Sequence, residues 1–233
     1  MEDILYDDKI VGRVRIRKSR KASRIAIRIK EGNIFLTIPQ HQSEEEGVRF
    51  LQSKRDWIQS HLKKKGNIIF DENTDFQTIT FGLKIEKSPL SLFHFKLTSN
   101  LLTILYPQKS DIYSAESQAI IRTGIERAMR MEAKRILPKR LAMLAEKYQF
   151  SFTNVTVRSS KTRWGSCSLK KSINLSYFLM TLPGELIDYV LLHELCHTRE
   201  MNHGVRFWEL LNLATNRQAK ALQSKLKKHK TSF

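Results

Sequence analysis

Apolar residues recur in this chain first at every second position and later at helical spacing, and the change of period outlines its elements. Alternation predicts strands over Ile10–Arg17, Arg24–Lys30, Ile34–Ile38, Thr78–Lys87, Leu92–Thr98 and Leu101–Tyr106. One helix interrupts them, from about Glu44 to Lys64. Ser43 and Glu46 form a capping box at its start, and Val48, Leu51, Trp57, Ile58 and Leu62 supply its apolar side. A long amphipathic helix is predicted from Ala115 to Tyr148, with Pro138 expected to break or kink it. Three short strands follow, Asn154–Ser159, Thr162–Ser168 and Ser172–Met180, then an apolar helix around residue 190. The last helix starts near Val205 and turns Phe207, Trp208, Leu211 and Ala214 inward. Pro107 through Ser114 reads as a linker, which divides the chain into a strand-rich domain, 1–110, and a second domain, 111–233. No internal repeat or low-complexity segment stands out.

Composition narrows the setting. A chain of 233 residues has ample material for a core, and no apolar stretch approaches membrane-spanning length. The acidic opening Met1-Glu2-Asp3 leads into no long apolar run, so a secretory signal is not expected and the cytoplasm is. Two cysteines, Cys167 and Cys196, are too few for a disulfide framework. The formal charge of +18 is unevenly spread. Ten basic residues fall between Lys9 and Lys30, several alternating with Val14, Ile16, Ile25, Ile27 and Ile29. That pattern predicts strands with one buried and one basic face. A second basic run, from Arg217 through Lys230, contains no acid. Such a balance favours a polyanionic partner, nucleic acid first, bound without sequence specificity because no reading motif accompanies it.

The helix around residue 190 carries the chemistry. Within His193-Glu194-Leu195-Cys196-His197 the two histidines lie about 40° apart in angle and about 6 Å apart in rise, so both imidazoles can meet one metal ion. Glu194 projects to the side, where it can act on a metal-bound water without becoming a ligand. Leu186, Ile187, Val190, Leu191, Leu192 and Leu195 surround the cylinder, which predicts a buried helix. Two histidines and a glutamate buried together need partners. Pro183 suits the first turn, with Thr181 as a cap. Cys196 faces the side of His193 and reads as a small buried hydrophobe.

Glu200 and His203 compete for the third ligand position. A continuing helix would carry Glu200 about 10 Å along the axis from His193, too far for a compact site. His203 is favoured, because Asn202 and Gly204 beside it tolerate the reversal that ends a helix. Water would fill the fourth position, which a catalytic zinc leaves open. The six-residue step from His197 to His203 is also the metzincin step. Glu200 occupies that family's glycine position, however, and no methionine follows Met201, which disfavours a metzincin.

Taken together, Arg163-Trp164-Gly165-Ser166-Cys167-Ser168, Ile173-Asn174-Leu175, Pro183 through Val190, the His193 motif, and Asn202-His203 with Phe207-Trp208 resemble the YgjP-like (DUF45) metallopeptidases, relatives of the SprT-like and WLM zinc proteases. The resemblance is strong over about residues 115–220 and less specific before them. It implies an α+β protein whose second domain is a minimal zincin: a long helix, a three-stranded antiparallel sheet, the HExxH helix and a C-terminal helix. It further implies zinc on His193, His197 and His203, with Glu194 as the base. Gly204 stands where relatives often have a small polar residue.

In such a site a strand ahead of the metal helix lines the cleft and pairs with extended substrate; Thr162–Ser168 and Ile173–Leu179 are the expected strands. Arg163 and Asn174 are the substrate-binding candidates, Arg163 either for an oxyanion or a substrate carboxylate or phosphate, or as a cap on a carbonyl. Trp164 and Gly165 are expected to pack the strand against the metal helix. The expected activity is peptide hydrolysis by a Glu-activated water on zinc, acting beside nucleic acid. Two other readings remain: a metal-dependent nucleoside triphosphate (UTP) pyrophosphatase, and a non-catalytic basic nucleic-acid module with structural zinc. The oligomeric state is not legible.

Overall fold

The computed structural model describes residues 4–8, 10–30, 33–58 and 68–232. The chain divides into two compact units at Ile68/Ile69.

In the first unit the alternating pattern builds a four-stranded sheet from β1 (Ile4–Asp8), β2 (Gly12–Ser19), β3 (Ala26–Lys30) and β4 (Asn33–Pro39), in the order β1-β2-β4-β3. Val14, Ile16, Ile34, Leu36 and Ile38 point to one face and are buried. The β1 strand escapes the sequence reading because its apolar residues Ile4 and Leu5 are both exposed. Helix α1 (Glu44–Ser53) begins with the expected capping box: Glu46 N–H donates to Ser43 Oγ and Ser43 N–H to Glu46 Oε2. Helical geometry resumes over 55–58, and the rest of the predicted helix, with Leu62, lies outside the described residues. Leu51 and Ile58 join the core, but Trp57 is exposed. The helix lies so close to β4 that a Cβ on Gly47 would fall 2.2 Å from Ile38 Cδ1. Asp8, buried, accepts a forked pair from Arg55 Nε and Nη2 and the backbone N–H groups of Ile10 and Val11.

The second unit opens with β5 (Gly82–Ser88), β6 (His94–Leu97) and β7 (Leu101–Pro107), in the order β5-β7-β6. The boundary expected near residue 110 is therefore displaced by about forty residues, and these strands belong with the helices that follow. Gln118 exchanges hydrogen bonds with the Phe70 backbone, and Ile79 N–H donates to Met180 O. Strand β5 starts later than alternation predicts, because the Thr78 hydroxyl closes a tight turn with Phe81.

Helix α2 (Ala115–Lys147) runs unbroken through Pro138. Its buried residues Ile121, Ile125, Met129, Ala133, Leu137, Leu141 and Ala145 recur at every fourth position. A four-residue step overshoots the helical turn by about 40°, so this stripe winds around the cylinder and meets different neighbours along its length. It meets β7, then the segments leading into and forming the metal-site helix. Packing on so many sides outweighs the hydrogen bond that Pro138 removes.

After α2 come β8 (Asn154–Arg158), β9 (Gly165–Cys167) and β10 (Ser172–Ser176), in the order β8-β10-β9. β10 pairs with β9 antiparallel but with β8 parallel, so the sheet is mixed and not antiparallel throughout. The predicted strand to Met180 stops at Ser176, whose hydroxyl accepts from Phe178 N–H and starts a 3₁₀ turn over Tyr177–Thr181. Helices α3 (Gly184–Cys196), α4 (Val205–Ala214) and α5 (Ala219–Leu226) complete the unit. The predicted single last helix is split where Asn216 and Arg217 take positive φ. No helix among the described residues is long and apolar enough to cross a membrane.

All three sheets share one topology. A strand is followed by a hairpin whose second arm inserts between that strand and the first arm, and a helix leads away. The repeat is one of path, with no repeated sequence to betray it.

Candidate metal centre and its cleft

Helix α3 is buried on nearly all sides, as its apolar residues require. Pro183 occupies the position before its first turn and its carbonyl accepts from Leu186 and Ile187 N–H. Thr181 does not cap the helix, because its hydroxyl donates back to Phe178 O. Arg140 of α2 holds the helix from outside, its Nε 2.5 Å from Asp188 Oδ1 and its Nη2 2.9 Å from Oδ2.

His193 sits in the last turn and His197 just beyond it, in backbone that is still helical. The chain then turns through 197–199 and returns His203 to the same point. Neither Asn202 nor Gly204 needs positive φ for this; Gly204 N–H donates to Asn202 O instead. His193 Nε2 lies 3.2 Å from His197 Nε2 and 3.1 Å from His203 Nε2. A tetrahedral metal with bonds of about 2.0–2.1 Å to nitrogen holds its ligand atoms about 3.3–3.4 Å apart. The three nitrogens thus fit one ion, and they form the only such group among the described residues.

The surroundings prepare the rings for that role. Burial, then the neighbouring His197 and His203, press the His193 pKa down to about 3, and burial also lowers that of His197. His197 Nδ1 donates to Glu200 O at 3.0 Å, which leaves Nε2 as the lone-pair nitrogen. Glu200, the rival third ligand, contributes its backbone carbonyl and not its carboxylate. Phe207 of α4, fully buried, floors the cluster: it stacks on His197 at 4.6 Å and meets His193 and His203 edge-on. Cys196 is buried away from the cluster, and burial lifts its thiol pKa to about 12.

Glu194 is 6 % exposed, and its Oε2 has no hydrogen-bond partner among the described residues. Burial raises its pKa to about 8, against the pull of the Arg163 charge. Gly165 of β9 makes room for it: a Cβ there would lie 2.7 Å from Glu194 Cγ and Oε1. A cleft of about 370 Å³ opens over these groups, lined by Arg163, Trp164, Gly165, Val190, His193 and Glu194 on one side. Gln223, Leu226, Lys227 and His229 line the other. Those four were not legible as site residues, since only the packing of α5 brings them here.

Arg163 reaches the cleft from the loop before β9. Asn174 does not line it. Its amide oxygen accepts from Thr156 Oγ1 at 2.6 Å and its amide nitrogen donates to Ser166 Oγ, so Asn174 ties the three strands together. β10 is the central strand, which leaves β9 as the edge beside Glu194.

The family described as YgjP-like, metallopeptidase domain, matches residues 23–229. Among solved structures, the crystal structure of the metallopeptidase zymogen of Pyrococcus abyssi abylysin is similar at 22 % identity and a TM-score of 0.37, covering 40 % of this chain and 94 % of that one. No curated protein matches the chain. With its family match running from the segment just before β3 through the whole metal centre, the chain belongs to the YgjP-like metallopeptidases and is a hydrolase of that class.

Proposed function

We propose that the protein is a zinc-dependent peptidase in which His193, His197 and His203 hold the metal and Glu194 is the general base. The observation that carries this reading is the meeting of three imidazole nitrogens beside a buried carboxylate oxygen that no group among the described residues engages. Zinc, when bound, supplies Lewis acidity and lowers the pKa of a water toward about 7. Glu194 Oε2 takes the proton as the water attacks the peptide carbonyl and returns it to the leaving amine. The edge strand β9 offers backbone groups to an extended substrate, and Arg163 faces the bound chain from the rim. The closed, thiolate-rich coordination of a structural zinc is absent from this ligand set, and such a site has no use for Glu194.

Replacing Glu194 with Gln is expected to leave one zinc per chain by elemental analysis and to lower peptide turnover by at least about 10²-fold. Turnover that survives the change sinks the mechanism. A casein and UTP assay run side by side separates peptide from phosphoanhydride hydrolysis.

The first unit supports a nucleic-acid partner. On the outward face of its sheet, Arg15, Phe35 and Arg28 stand in one row across three strands, with Arg17 in the next. All three arginines are exposed, and the Arg15 guanidinium lies 5.9 Å from the Phe35 ring centroid. Cations around an aromatic face suit single strands, through phosphate contacts and base stacking.

A further inference from the structure

The cleft over Glu194 does not end at the catalytic groups. A second hollow of about 340 Å³ shares Arg163, Trp164 and His229 with it and continues between the 161–164 loop and the segment His229–Ser232. The two form one groove that leads away from the metal ligands.

Its far wall is fastened in place. Thr231 Oγ1 donates to Lys161 O at 2.6 Å, which joins the segment to the loop across the groove. Lys225 Nζ lies 2.9 Å from Glu185 Oε1, which ties α5 to the metal-bearing helix. The charge along the groove has one sign. Arg163 and Lys227 stand beside Glu194, and Lys161 and Lys230 follow in the second hollow. Glu194 is the only carboxylate side chain among the described residues lining either hollow. Lys161 also meets Glu126 at 3.6 Å and shares its charge with that carboxylate, so Lys227 beside Glu194 is the main cation of the groove apart from Arg163. Hydrolysis at Glu194 requires none of these cations except, for orientation, Arg163.

We propose that this groove is a subsite for acidic side chains, so that the enzyme selects peptides carrying Asp or Glu within a few residues of the scissile bond, on the side bounded by 227–232. The proposal rests on the peptidase reading. An extended peptide advances about 3.3 Å per residue, so a chain leaving the metal centre along the groove presents successive side chains to Lys227 and then toward Lys161. Cations strung along a channel match carboxylates strung along a chain. A single compact polyphosphate calls instead for a cluster with a metal-binding carboxylate side chain beside it, and none lines the second hollow among the described residues.

The test uses the zinc-loaded full chain and fluorogenic peptides that differ only by Glu, Ala or Lys at each of three positions on either side of the scissile bond. Glu is expected to exceed Lys in kcat/KM by about tenfold at positions on one side only, with the ratio shrinking as salt rises. The change K227E is expected to invert that ratio. Equal rates for Glu and Lys at every position overturn the subsite and leave the peptidase reading standing. A second arm needs no cleavage: fluorescein-labelled peptides are titrated onto the E194Q protein by anisotropy. Tighter binding of the Glu peptide, with no peptide cleaved by the wild type, keeps the subsite and sinks the peptidase reading. Displacement of that peptide by UTP at lower concentration than by any acidic peptide, with UTP hydrolysed, overturns the proposal in favour of a triphosphate site.

Discussion

Gly165 and Glu194 show how narrow the tolerances are around the reacting carboxylate. The absent side chain of one residue is the space occupied by the other, since a Cβ on Gly165 would come within 2.7 Å of Glu194. Gly165→Ala is therefore expected to push the carboxylate aside and lower kcat by about 10²-fold, the scale of a misplacement near 1 Å. Zinc content should not change. An alanine variant with wild-type kcat refutes this positioning role. His193, Glu194 and His197 were legible in the sequence because helical geometry fixes their relations within a single turn. His203 required one inference about where the helix ends. Asn174 misled because its partners, Thr156 and Ser166, lie in other strands, and no local spacing reports that. Phe207, Lys227 and His229 reach the site through the packing of α4 and α5, which a linear pattern does not encode.

At the scale of elements, alternation located most strands but not their partners. A period of two says which side chains share a face and nothing about parallel or antiparallel neighbours, so the β8–β10 pairing was missed. It also ran on past Ser176, since a 3₁₀ turn of buried residues is as apolar as a buried strand. One inter-element contact bears on stability. Asp8 ends β1 and grips Arg55 near the end of the helix. The Arg55 guanidinium beside it holds its carboxyl below the usual 3.8. A depressed folded-state pKa contributes stability that is fully present above the unfolded value and is lost as pH falls through the folded one. Asp8→Asn should therefore weaken hydrogen-exchange protection of β2 and α1 amides at pH 7, with the deficit against wild type closing below about pH 4. A deficit of the same size at pH 3 contradicts the assignment.

For the whole molecule, the net charge of +18 was the plainest message of the sequence. The structure distributes it over the sheet face around Phe35 and over the groove beside the metal centre. The two are separable by experiment. Arg15→Ala with Arg28→Ala is expected to weaken binding to a single-stranded oligonucleotide and to reduce the slope of log K against log salt by about 1 to 2, with peptide hydrolysis unchanged. An unaltered slope removes the sheet from consideration. The shared topology of the three sheets also sets an order of assembly. Each hairpin closes over a short turn, whereas β2, β5 and β8 must wait for a strand about twenty residues away, and the entropy of closure grows with the loop. Hairpins thus come first and the parallel strands dock last. β9, the arm that borders Glu194, belongs with its partner β10 to the early set, so this order puts the wall of the cleft in place before the sheet behind it is complete.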